Sequence, residues 1–102
     1  MITSVEQAYR ANRSAGMHWG SPETLRFFAA RVESPLIAGR YWVESTKNSE
    51  GLGREYRLAV FDPTDSDITY VLDEDGCIGC FDNRSDALVW LAAQRARLEK
   101  DR

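Results

Sequence analysis

Apolar positions near the start of the chain recur with the period of a helix. The pattern predicts a helix from residue 3 to about residue 15, with an inward face of Val5, Ala8, Tyr9 and Asn12. Thr3 or Ser4 can cap the first free N–H groups, and Gly16 follows as a stop signal.

A second helix has clear start signals. Ser21 is a good N-cap, Pro22 suits the first helical position, and Glu23 favours the positive end of the helix dipole. The apolar stripe of this helix is predicted to consist of Leu25, Phe28, Ala29 and Val32. Pro35 and Gly39 then end the helical pattern.

Beyond Gly39 the apolar period changes to two, which is typical of strands. Four strands are predicted, at about residues 40–45, 55–61, 67–72 and 77–81. The turn signal at Asp62-Pro63 and the hairpin signal at Asp75-Gly76 make two of the connections tight. Connections this short make neighbouring strands antiparallel. The inward residues are predicted to be Tyr41, Val43, Tyr56, Leu58, Val60, Ile68, Tyr70 and Leu72.

The last segment predicts a third helix, from about residue 86 to residue 99. Asn83 or Ser85 would cap it, and its inner face would carry Ala87, Leu88, Leu91 and Leu98. We therefore predict an α+β fold with two N-terminal helices, a four-stranded antiparallel meander sheet and a C-terminal helix, all helices covering one face. A chain of 102 residues suits a single domain spanning residues 1–102.

Composition places the chain among ordinary globular proteins, with 43% hydrophobic and 28% charged residues. No apolar run approaches the roughly 18 residues that cross a bilayer, and the first residues do not resemble a signal peptide. We therefore expect a cytoplasmic protein without membrane association, whose two cysteines are free thiols.

Charge is unevenly distributed along the chain. Residues 62–86 hold eight acids against one arginine, a net charge of −7, whereas the remaining 8 acids and 12 bases give +4. Asp73, Glu74 and Asp75 are predicted to form an acidic hairpin tip that could steer the domain towards a basic partner. The same acids could hold a divalent cation, but they lack EF-hand spacing, and a solvated acidic surface is favoured.

Candidate catalytic or metal-binding residues are few. Cys77 and Cys80 form a C-x-x-C pair, but they lie in a predicted strand rather than at a helix N-terminus, where a redox cysteine is activated. A structural zinc site needs four ligands, and His18 is the only histidine. His18 more simply belongs to a packed joint between helices. We predict no enzyme activity, no metal and no cofactor.

Phe27 is the aromatic residue that the second helix does not need for its stripe. An aromatic residue flanked by arginines, here Phe27 with Arg26 and Arg31, is typical of a protein-binding hot spot. We predict a partner-binding surface that contains these three residues and Trp19. The alternative for Phe27 is burial under the sheet edge or the loop of residues 36–40. Interleaved arginines and aromatics also leave nucleic-acid binding open, although a pI near 5.1 disfavours it.

Three runs stand out in order along the chain: the joint ending in His18-Trp19, an R-F-F-x-x-R helix at residues 26–31, and a G-x-Y-[FW]-V strand at residues 39–43. In these runs the chain resembles a family of short uncharacterised proteins of bacteriophages and other mobile elements. The resemblance implies an origin in a phage or mobile element rather than an activity, and such a protein would act in the cytoplasm of the host cell. We therefore expect a non-catalytic accessory protein that binds a host or phage protein, for example to inhibit a defence or nucleic-acid-handling factor. The alternative is a small nucleic-acid-binding module.

Overall fold

The computed structural model describes residues 1–48 and 53–100, which form three helices and a four-stranded antiparallel sheet. The helices are α1 (Val5–Ser14), α2 (Pro22–Phe27) and α3 (Arg84–Lys100). The strands are β1 (Arg31–Val32), β2 (Tyr41–Lys47), β3 (Arg54–Asp62) and β4 (Asp67–Tyr70). The predicted α+β class is confirmed, and no helix in the described ranges is long and apolar enough to cross a membrane.

Helix α1 forms where its cap and its apolar period agree. The Ser4 hydroxyl accepts a hydrogen bond from the Gln7 N–H at 3.2 Å, and the buried residues are the four predicted ones. Asn12 is buried because its amide links three segments: it accepts from the Gly20 N–H at 3.0 Å and donates to the Ser66 carbonyl at 2.8 Å. These bonds fix the joint between α1 and α2.

The strands lie in the order β1-β2-β3-β4, each antiparallel to its neighbours. The predicted strand at residues 77–81 is wrong: that segment makes only isolated bridges, Leu72 to Ile78 and Tyr56 to Phe81. The fourth strand is instead β1, at the opposite edge of the sheet. Two residues are too few to show an alternating pattern in the sequence, so β1 was missed.

Helices cover both faces of the sheet, so the prediction that they share one face is wrong. Helix α1 packs on the side of the sheet that carries Trp42, Ala59 and Phe61. Helix α3 packs on the side that carries Tyr41, Val43 and Leu58. Strands β2 and β3 therefore carry apolar side chains on both sides of the sheet, as expected for central strands that are buried on two sides. We call these two sides the α1 face and the α3 face.

Helix α2 ends earlier than its apolar stripe predicts. Phe28 is its C-terminal cap, and Ala29 turns into the left-handed region with φ of 50°. Consequently Val32 lies in β1 and is exposed, and Phe28 is 39% exposed instead of buried in the core. Ala29 gives no sequence signal for this stop, because glycine or asparagine usually occupies such a position.

Candidate functional site

Aromatic side chains form a continuous row that starts at the surface and ends against the core on the α1 face. We call this row, Phe27, Phe28, Trp19 and Tyr70, the aromatic ridge. Its successive ring centroids are 4.9 Å, 5.9 Å and 5.3 Å apart. The outermost ring, that of Phe27, is 70% exposed. The Phe27–Phe28 and Trp19–Tyr70 pairs pack edge to face, whereas the Trp19 and Phe28 rings are tilted by 31°. Ring contacts at these distances stabilise each pair and hold the exposed ring on a fixed base.

The turn after α2 determines how the ridge is presented. The Ala30 N–H donates to the Leu25 carbonyl at 2.8 Å, which closes the turn around the left-handed Ala29. The Arg54 guanidinium donates to the Ala29 carbonyl and to the Ser45 carbonyl in β2, the latter at 3.0 Å. A left-handed alanine costs about 1–2 kcal/mol, and these bonds hold it in place. The two phenylalanines are therefore displayed by a cross-linked turn.

The inner end of the ridge meets a buried carboxylate. Glu44, in the centre of β2, is 1% exposed and lies on the α1 face. Its carboxylate accepts hydrogen bonds from the Tyr9 hydroxyl at 2.5 Å, the Tyr70 hydroxyl at 2.7 Å and the Trp42 indole N–H at 3.3 Å. A buried charge is tolerated when hydrogen bonds replace its water, and three donors do so here. We call these four residues the Glu44 cluster.

The Glu44 cluster shifts the titration of both tyrosines. Burial is the main cause and the negative charge of Glu44 adds to it, so the pKa of Tyr9 lies far above its ordinary value. The same two causes raise the pKa of Tyr70, which the nearby Arg57 opposes in part. Both hydroxyls therefore stay protonated and act as donors throughout the physiological range. The cluster is a fixed polar core.

A shallow cavity of about 560 Å³ lies beside the outer end of the ridge, bordered by the two phenylalanines and by Lys47, Glu55 and Arg57. The Arg57 guanidinium pairs with Glu55 at 2.5 Å and lies 5.4 Å from the centre of the Tyr70 ring. Its Nε is buried without a hydrogen-bond partner among the described residues. The cavity therefore combines apolar rings with Lys47 and with the ion pair between Arg57 and Glu55.

The structure brings together only part of the predicted surface. Trp19 and Phe27 belong to the ridge, Arg26 is exposed next to Phe27 in α2, and Arg31 is exposed in β1. The alternative for Phe27, burial under the sheet edge or the loop of residues 36–40, is wrong, since its ring is exposed. Sequence reasoning missed Phe28, because the longer helix that it predicted would have buried this ring.

The acidic tip lies apart from the ridge. Asp73 and Glu74 border a groove on the α3 face, and Asp75 is exposed. Asp73 is more than a surface charge: its Oδ1 accepts from the Asp75 N–H at 2.9 Å and from the Cys77 N–H at 3.0 Å. One of the three acids therefore shapes the turn that displays the other two.

Other candidate chemistry is sparse in residues 1–48 and 53–100. No group of three His, Cys, Asp or Glu side chains there could hold a metal ion. Cys77 and Cys80 are exposed free thiols outside any strand, and His18 is exposed rather than packed in a joint. No protein-family model, curated protein or solved structure matches this chain.

Proposed function

We propose that the protein is a non-catalytic accessory protein of a phage or mobile element, and that it binds a host or phage protein through the aromatic ridge. A defence factor or a nucleic-acid-handling factor, inhibited by this binding, fits the proposal. The resemblance of residues 26–31 and 39–43 to phage proteins supports the origin. The surface itself supports the mode of action.

The observation that carries the proposal is the exposure of Phe27 on a fixed base. Large apolar side chains that stay exposed while their neighbours pack are typical of binding surfaces, and aromatic anchors provide much of the energy of protein interfaces. The Phe27 ring contacts Phe28, which itself packs on Trp19. Little conformational entropy would be lost when a partner covers a ring that is held in this way.

Exposed cations flank the ridge along the chain or border its cavity, and they indicate the chemistry of the partner. Arg26, Arg31 and Lys47 are exposed, and none of them forms an ion pair within the described ranges. An apolar pocket with carboxylates at its rim would complement this arrangement, and charges at a rim chiefly accelerate association. The acidic tip at Asp73–Asp75 would be free to steer the same domain from another side.

Nucleic-acid binding is the second candidate, because Lys47 and Arg57 border the same cavity as Phe27. An exposed ring can stack on a base while cations neutralise phosphates. In that case binding to random single-stranded DNA or RNA would weaken steeply as salt is raised.

The two candidates separate in one set of measurements on matched variants. Val89 on α3 is 71% exposed, nearly the same as the 70% of Phe27, so V89D is a control for F27D. We expect F27D to abolish co-purification of a specific host or phage protein, V89D to preserve it, and both variants to melt like the parent. Loss of DNA or RNA binding in F27D, with no protein partner affected, would establish the second candidate instead.

A further inference from the structure

A groove on the α3 face has a different chemistry from the aromatic ridge. Its volume is about 840 Å³, and it lies between β4, the turn that follows it and the C-terminal end of α3. Apolar residues from both the sheet and the helix border it: Tyr41, Val60, Val71, Leu72, Ile78 and Leu98. The groove is large enough for a small organic molecule.

Two arginines border this groove with donors that lack acceptors. Arg40 Nε and one terminal nitrogen of Arg97 are buried without a hydrogen-bond partner in the described part of the chain. Both side chains are held: Arg97 Nε donates to Gln94 Oε1 at 2.8 Å, and the Arg40 guanidinium lies 5.0 Å from the centre of the Tyr41 ring. Leaving a buried donor unpaired is costly, and cationic donors pair best with anions.

Acidic residues border the same groove without neutralising these arginines. Asp62, Asp73 and Glu74 line it, yet no ion pair joins any of them to Arg40 or Arg97 within residues 1–48 and 53–100. Asp62 instead accepts a hydrogen bond from the Thr64 N–H at 2.9 Å, and Asp73 accepts one from the Asp75 N–H at 2.9 Å. These carboxylates leave the guanidinium donors available, and they repel ligands that carry several negative charges.

We propose that this groove binds an organic monocarboxylate with an apolar body. Its carboxylate would pair with the guanidinium groups of Arg40 and Arg97, and its body would pack against Tyr41, Val71 and Leu98. A single negative charge satisfies the two arginines, whereas the three neighbouring acids disfavour polyphosphates and nucleic acids. The site lies on the opposite face of the sheet from Phe27, so it does not depend on the function proposed for the ridge.

The test uses 4-phenylbutyrate as the probe and 4-phenylbutanol as its uncharged control, followed by amide and arginine Nε–H resonances in NMR titrations. We expect saturable shifts at Arg40, Arg97 and Val71 with the acid, and binding of the alcohol at least about tenfold weaker, since that factor corresponds to one charge-assisted hydrogen bond. R97Q should weaken the binding of 4-phenylbutyrate by at least the same factor. R95Q is the matched control, because Arg95 lies on the same helix, pairs with Glu99 and does not border the groove.

Several results would overturn the proposal. The proposal fails if 4-phenylbutyrate and 4-phenylbutanol bind with equal affinity, or if the acid produces no saturable shift. It also fails if R97Q and R40Q both fold and bind the acid with unchanged affinity. Tighter binding of tripolyphosphate than of 4-phenylbutyrate would show that the chemical class is wrong. F27D should bind 4-phenylbutyrate like the parent. Failure of the function proposed for the ridge can therefore be distinguished from failure of the ligand site proposed for the groove.

Discussion

Replacing Glu44 with leucine should destabilise the protein far more than replacing Glu44, Tyr9 and Tyr70 together with apolar residues. The leucine has a similar volume, but it leaves the hydroxyls of Tyr9 and Tyr70 and the indole N–H of Trp42 without their acceptor. An unsatisfied buried donor costs about 1–3 kcal/mol. Three such donors give a loss of about 3–9 kcal/mol, which is a large part of the 5–15 kcal/mol that holds a domain this size together.

Removing the donors as well should restore stability. In E44L/Y9F/Y70F both hydroxyls disappear with the carboxylate, and replacing both partners of a hydrogen bond by apolar groups is often nearly neutral. We therefore expect the triple variant to be more stable than E44L by about 2–6 kcal/mol, although it carries two additional substitutions. Only the Trp42 indole N–H then lacks the acceptor that it has in the parent.

Urea denaturation followed by fluorescence and circular dichroism measures these free energies of unfolding. Y9F/Y70F without E44L is the control, because it keeps the carboxylate while removing two of its donors. If E44L does not fold, a cooperative transition in the triple variant still tests the argument. A triple variant that is less stable than E44L, or an E44L variant that matches the parent, would refute it.

Three further predictions concern pH, packing and the cysteines. Because the pKa values of Tyr9 and Tyr70 are raised, the folded state keeps two protons that the unfolded chain releases above about pH 10. The free energy of unfolding should therefore fall above that pH by about 1.4 kcal/mol per pH unit for each tyrosine. Urea denaturation at alkaline pH measures this slope, and an unchanged slope in Y9F would contradict the assigned cause. Gly20→Ala should cost about 1–3 kcal/mol, because its new Cβ would lie 2.8 Å from the Tyr9 carbonyl oxygen, and an unchanged denaturation midpoint would show that the joint can relax. Changing both Cys77 and Cys80 to serine should alter stability by less than about 0.5 kcal/mol, since both thiols are exposed, whereas stoichiometric zinc in the purified parent would show that they have another role.

The sequence predicted well those elements whose local signals agree with one another. Helix α1 combines the Ser4 cap with an uninterrupted apolar period, and its four buried residues follow from these two features. Helix α3 is similar: the Asn83 side chain accepts from the Asp86 N–H at 2.8 Å, as its predicted cap. In both cases the deciding interactions join residues three or four positions apart.

The errors arose where distant contacts decide the structure. Trp42, Ala59 and Phe61 make a second apolar face of the sheet, but a search for a single alternating face assigns them to solvent. Glu44 reads as an outward polar residue in β2, because its partners Tyr9 and Tyr70 lie 35 and 26 residues away. Periodicity carries no information about such pairs.

Only part of the candidate surface could be predicted, because distant contacts also shape the aromatic ridge. Phe27 stood out because it lies off the stripe of its helix, and the structure exposes it. The contribution of Phe28 depends on the left-handed turn at Ala29, which the Arg54 guanidinium holds from β3. No local pattern in residues 26–31 encodes that contact.

Photo-crosslinking from position 27 tests the central claim most directly. Benzoylphenylalanine would replace Phe27 in one variant and Val89 in a control, two sites of nearly equal exposure on opposite faces of the sheet. After irradiation in the host cell, we expect one discrete protein adduct from position 27. This adduct should be absent from position 89 and should disappear when Arg26 and Arg31 are changed to glutamate. The same adduct from both positions, an adduct with nucleic acid, or none from position 27 would contradict the central claim.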